Sequence, residues 1–211
     1  MRNTENKSKK AVAVILIFMA AVLLLSLIFL IIVPFFTGSL KAPDKRSGGN
    51  ITFYPADYEH NIFGDEEYMQ EERRILYTEG GQSRFLTEEE YNINDNPVLL
   101  FLSKYFEFLI NGDAENLKAC YSDRMVKALD LPDAITMQRL YDINIEYISV
   151  ADKVGKGGDE YYEYQYKIDY KIMRNDGTFR RDIESRSSKP QYFVIKYNMD
   201  NIEITDVINT K

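Results

Sequence analysis

The chain has 211 residues, with 33 acidic against 26 basic side chains and a formal charge of −7, a balance that speaks against nucleic acid as a partner. A single cysteine excludes an internal disulfide, and a single histidine excludes a histidine-based metal cluster. Hydrophobic residues make up 45% of the chain, but many of them sit near the N-terminus, leaving a polar, tyrosine-rich remainder long enough for one domain.

Residues 1–10 form a basic N-terminal tail containing Arg2, Lys7, Lys9 and Lys10. From Ala11 to Val33 the chain is uncharged, with Ser26 its only polar residue, and Pro34, Phe35 and Phe36 extend the run. As a helix rising about 1.5 Å per residue, Ala11–Val33 spans about 34 Å, enough for a hydrocarbon core of about 30 Å. The competing reading, a cleaved signal peptide, requires an apolar region of only about 7 to 15 residues followed by a small-residue cleavage site. The exit sequence PFFTGSLKAP has no such site, so residues 11–36 are read as an uncleaved transmembrane helix in the lipid bilayer. Lys41, Lys45 and Arg46 follow the anchor closely, and the positive-inside rule places the N-terminus in the cytoplasm by a narrow margin. The expected location is the cell membrane, single-pass, with the C-terminal domain extracytoplasmic.

Residues 37–50, TGSLKAPDKRSGGN, have the composition of a linker. In the juxtamembrane segment, 51–95, GDEEYMQEERRILYT reads as a short helix running into a strand. RILYT and SRFLT flank Glu79-Gly80-Gly81-Gln82 as a hairpin.

Asn96-Pro97 supplies an N-cap with proline at the first helical position, and Asn111-Gly112 supplies the stop, predicting a helix over 97–111. Its polar residues Ser103, Lys104, Glu107 and Asn111 fall on one stripe, so most of the circumference is apolar. Asp113 caps a second helix, DAENLKACY, and Asp133 opens a third, DAITMQRLY, with breaks at Ser122-Asp123 and Leu131-Pro132. Cys120 is expected as a small buried side chain on the second helix.

From Asp142 the period changes to two. Tyr162, Tyr164, Tyr166, Ile168, Tyr170 and Ile172 alternate with Glu163, Gln165, Lys167, Asp169 and Lys171, giving one packed face and one wet face. INIEYISV precedes this strand. Asn175-Asp176-Gly177 is a turn into a further strand, and QYFVIKY and IEITDVI complete an antiparallel meander. Helices followed by such a sheet are the α+β pattern, in which the helices cover the apolar face.

This order of elements resembles the nuclear-transport-factor-2-like superfamily, also called SnoaL-like or cone fold. The likeness is carried by the apolar helix ending Phe108-Leu109-Ile110-Asn111-Gly112-Asp113, by Ala114-Glu115-Asn116-Leu117 opening the second helix, and by the long C-terminal strands. It covers about residues 96–211 and implies helices packed inside a strongly curved antiparallel β-sheet. Some members are isomerases, dehydratases or cyclases that use carboxylate, histidine and tyrosine groups. Membrane-anchored members with a similar layout serve in conjugation and type IV secretion assembly and in Gram-positive envelope complexes.

The residues for catalysis are sparse. His60 falls before the resembling region and reads as a solvated loop residue, far in sequence from Cys120. Glu163 and Asp169 sit on the wet face, without the burial that acid–base work at neutral pH usually requires. Asp206 shares strand parity with Ile202, Ile204 and Ile208 and points inward unless a bulge intervenes. Gly155, Gly157 and Gly158 join two strands and are no phosphate loop. No cofactor, metal or catalytic residue is therefore expected. The pocket or interface residues singled out are Tyr162, Tyr164, Tyr166, Tyr170 and Asp206, with core packing as the plain alternative for the tyrosines. The functional expectation is a non-catalytic, membrane-anchored scaffold or assembly component of a bacterial envelope complex, acting through other envelope proteins or self-association. The alternatives are a small-molecule-binding module with a tyrosine-lined pocket and an enzyme of the SnoaL-like type.

Overall fold

The structure, a computed structural model, describes residues 51–87, 96–199 and 201–209. The expected tail, anchor (11–36) and linker (37–50) lie outside the described residues. Among the described residues no helix is long and apolar enough to cross a membrane.

The helices are α1 (Glu66–Met69), α2 (Pro97–Asn111), α3 (Ala114–Ala119) and α4 (Asp123–Leu129). The cap chemistry of α2 is realised as the sequence predicts. Asn96 Oδ1 accepts from the Leu99 N–H at 3.1 Å, Pro97 occupies the first turn, and Gly112 ends the helix in the left-handed conformation at φ 70°. Asp113 then caps α3 by accepting from the Asn116 N–H at 3.0 Å. Cys120 follows α3 and is buried.

The strands are β1 (Ile75–Glu79), β2 (Gln82–Phe85), β3 (Arg139–Val154), β4 (Glu160–Met173), β5 (Gln191–Tyr197) and β6 (Ile202–Asn209), and they form one six-stranded sheet in the order β2-β1-β3-β4-β5-β6. The hairpin β1–β2 turns at Gly80 and Gly81, both at positive φ. The sheet is mixed and not purely antiparallel as expected, because β1 runs parallel to β3 from Ile75↔Ile143 to Thr78↔Glu146. Parallel neighbours need a long crossover, and α2, α3 and α4 lie in sequence between the hairpin and β3.

The third helix does not form where DAITMQRLY suggested. Ser122 precedes α4 instead, Asp130 closes it in the left-handed conformation, and residues 133–138 run without helix into β3. The C-terminal end of α2 holds this stretch extended. The Gln138 N–H donates to the Leu109 carbonyl at 3.1 Å, and the Ile135–Met137 backbone passes Gly112 so closely that a Cβ there would lie 2.9 Å from the Met137 nitrogen. The strand expected after Asn175-Asp176-Gly177 is also absent. Residues 174–190 form a loop whose turn residues bond inward, the Asn175 side chain donating to the Arg180 and Ile183 carbonyls, both at 2.9 Å.

One core lies between α2–α4 and the inner face of the sheet. Leu102, Tyr105, Phe106 and Leu109 of α2 meet Ile143, Ile145, Ile168, Ile172 and Ile195. The outer face is wet, with ion pairs such as Lys167–Glu146 and Lys171–Asp142. Residues 51–87 belong to this body, since Ile75, Tyr77 and Leu86 join the core. Ile62 and Tyr68 form a second cluster with Tyr141 and Met173. Around α1, Asp65 pairs with Arg139 and Arg174, and Glu67 pairs with Arg174 and Arg186. Phe53 lies against Gly177, and the Tyr54 N–H donates to the Asn175 carbonyl at 2.9 Å.

Candidate functional site

The tyrosine row of β4 does not make one site. Its parity faces all four rings to the inner side, but burial falls steadily toward the β3–β4 tip. Tyr170 and Tyr166 are closed off in the core, Tyr164 is half-buried and Tyr162 is 48% exposed. The Tyr170 hydroxyl accepts from Arg180 Nη1 at 3.2 Å. The Tyr166 hydroxyl is buried, with the Asn96 side chain beside it. Toward the tip, Tyr162 stacks with Tyr197 of β5 at 24°, and Tyr164 stacks with Tyr166 at 11°.

Asp206 does not join them, because a bulge reverses its parity. Val194 pairs with Asp206, whereas the next residue, Ile195, pairs with Ile204, leaving Thr205 as the extra residue. Its hydroxyl donates to the Val194 carbonyl at 3.2 Å. Beyond it, Val207 and Asn209 take the inner-face positions, opposite Phe193 and Gln191, and Asp206 falls on the other face. Its carboxylate accepts from its neighbour's Val207 N–H at 3.0 Å.

The polar residues that do converge come from the 174–190 loop and the stretch before β3. Asp176 accepts from the Thr178 N–H and hydroxyl and from the Thr136 hydroxyl, and Gln138 Nε2 donates to both threonine hydroxyls. Arg180, 5% exposed, donates Nε and Nη2 to Asp182 at 2.6 and 3.0 Å, and Nη1 to Gln191 Oε1 at 2.6 Å. Its remaining contacts are Tyr170 and the Lys189 carbonyl. Every edge of this guanidinium is thus committed inside the fold. Below it, the hydroxyls of Tyr105 and Tyr121 bond each other at 2.8 Å, and burial raises both phenols above their ordinary pKa. Sequence reasoning missed this knot because Asn175-Asp176-Gly177 also fits a hairpin turn, and the Arg-x-Asp spacing of Arg180 and Asp182 was the available signal.

One concavity borders these groups and another lies apart from them. A half-open hollow of about 240 Å³ lies between Leu131, Phe179, Val207 and the Tyr105–Tyr121 pair. A groove of about 590 Å³ runs between the β1–β2 hairpin and the Phe106–Ile110 side of α2. His60 is an exposed loop residue. Burial pushes the Cys120 thiol up to about 12, so it is neutral at physiological pH. Among the described residues no group of three or more histidine, cysteine or acidic side chains is placed to hold a metal. No protein-family model matches the chain, and a search of curated proteins finds no relative.

Proposed function

We propose that this chain is a membrane-anchored scaffold of a bacterial envelope complex, of the nuclear-transport-factor-2-like cone type, whose extracytoplasmic domain acts by contact and not by turnover. The observation that carries the reading is the contrast between its interior and its tip. Inside, Tyr105, Phe106, Tyr166, Tyr170 and Phe193 fill the space between helices and sheet, and Arg180 and Asp176 are saturated by internal partners. At the tip of β3 and β4, Val150, Val154 and Tyr162 stand in solvent. Contact surfaces are built from exposed apolar and aromatic side chains, while acid–base catalysis needs polar groups that converge on a cavity within reach of a substrate. Confinement near a bilayer raises the effective concentration of membrane partners, so a modest surface suffices.

A photo-crosslinking side chain at Tyr162 of the full-length protein, expressed in its own cells, tests this. The expected result is a discrete adduct with another envelope protein, and protease added outside intact cells or protoplasts should cut the domain. Adducts to lipid alone, or a domain protected from outside protease, would overturn the reading. The hollow beside Tyr105 and Tyr121 supports a second reading, a small-molecule-binding module. That reading expects crosslinks from Leu131 to a low-mass compound.

A further inference from the structure

The geometry points to strand addition on the outer edge of β3 by an extended, lysine- or arginine-bearing segment of a partner protein. This rests on the contact reading above and gives it a recognition chemistry. β1 covers that edge only as far as Thr78↔Glu146, because the hairpin then turns away at Gly80-Gly81. On its other side β3 stays paired with β4 out to Val154↔Glu160. Among the described residues, Tyr147–Val154 therefore has no strand on its outer side. A run of backbone donors and acceptors of this kind is completed by an extended chain and by no other secondary structure.

The side chains along the edge define what that chain carries. Ile148, Val150 and Val154 are 42%, 44% and 68% exposed and offer apolar contact. On the inner face, Val150 lies opposite Tyr164 and Asp152 opposite Tyr162, while the Tyr147 ring meets Tyr166 edge-on at 5.7 Å. Glu79 ends β1 on the same face by strand parity, and its carboxylate accepts from the Tyr77 hydroxyl at 3.0 Å. Neither Asp152 nor Glu79 pairs with a cation among the described residues. The neighbouring lysines are engaged elsewhere, Lys153 with Glu163 and Lys167 with Glu146. Two unpaired carboxylates flanking tyrosine rings favour an ammonium or guanidinium, held by the charges and by the ring faces together. The chain's net charge of −7 draws a basic segment in the same direction. A second copy of this chain would bring the same carboxylates and the same net charge to the edge, so like charges oppose self-pairing there.

The test uses the full-length chain in detergent and two synthetic peptides of about eight residues, matching the open edge, one alternating Lys and Val and the other Glu and Val. The Lys–Val peptide should bind and slow amide hydrogen exchange within Tyr147–Val154. Glu79→Lys with Asp152→Lys, both at exposed positions, should weaken binding by at least about tenfold and remove that protection. Equal binding of the two peptides, protection confined to other strands, or no binding would overturn the proposal. So would a dimer that protects the same amides without peptide. If Tyr162 crosslinks to a protein in cells while the Lys–Val peptide fails, strand addition falls and the contact reading stands.

Discussion

At the scale of single residues, position in the fold decides what a side chain can do. Phe106 is 2% exposed and meets Tyr105 and Tyr170 edge-on at 5.3 and 5.8 Å. Phe106→Asp places an unpaired carboxylate among these rings and should cost about 4 kcal/mol or more, read as lost cooperative unfolding in denaturant. Asp65 tests the ion pairs around α1. Burial alone would raise its carboxyl, but the Tyr68 N–H and the Arg174 and Arg139 guanidiniums together hold it below its ordinary value of 3.8. A group depressed in the folded state contributes stability above its unfolded pKa, and that contribution is lost as pH falls through the folded value. Between about pH 5 and pH 2, Asp65→Asn should therefore lose less melting temperature than the unaltered chain, as thermal unfolding at a series of pH values would read. Asp206 shows the limit of parity reasoning. One inserted residue, Thr205, moves it to the other face, and nothing in the alternation of β6 marks where that insertion falls.

Elements were legible where the local chemistry was self-sufficient. Asn96, Pro97 and Gly112 specify both ends of α2 without help from the rest of the fold, and the β4 alternation specifies a strand with one wet face. The two misread stretches, 133–138 and 178–186, are held by partners distant in sequence. Gln138 reaches Leu109, and Arg180 reaches Gln191 and Tyr170, contacts that no local pattern announces. Gly112 belongs to both kinds, since it ends α2 and also lets the 135–137 backbone pass. Gly112→Ala adds a Cβ at positive φ within 2.9 Å of the Met137 nitrogen and should cost about 1–3 kcal/mol. Equilibrium denaturation would measure it, with unchanged stability removing the close approach as a determinant.

For the whole molecule, the main departure from expectation is the parallel pairing of β1, within residues 51–87, with β3. Their hairpin and short helix were readable, but the parallel seat of β1 beside β3 was not, because it pairs segments separated by three helices. A chain from which residues 51–87 are deleted loses two strands, exposes Ile143 and Ile145, and removes the α1 ion pairs. It should aggregate or melt without a cooperative transition, and size-exclusion chromatography with calorimetry would show this.

Phe53 and Tyr54 fasten the start of the domain to Gly177 and Asn175, just beyond the last residue of β4, whereas the β3–β4 tip lies at that strand's opposite end. Fourteen residues of β4 separate the two by roughly 45 Å. If the proposed anchor and the proposed partner pulled on this domain from its start and its tip, the tension would run lengthwise along the strands. The ladder bonds between β3 and β4 stand across that direction, so they would bear the load together in shear and would not open one after another.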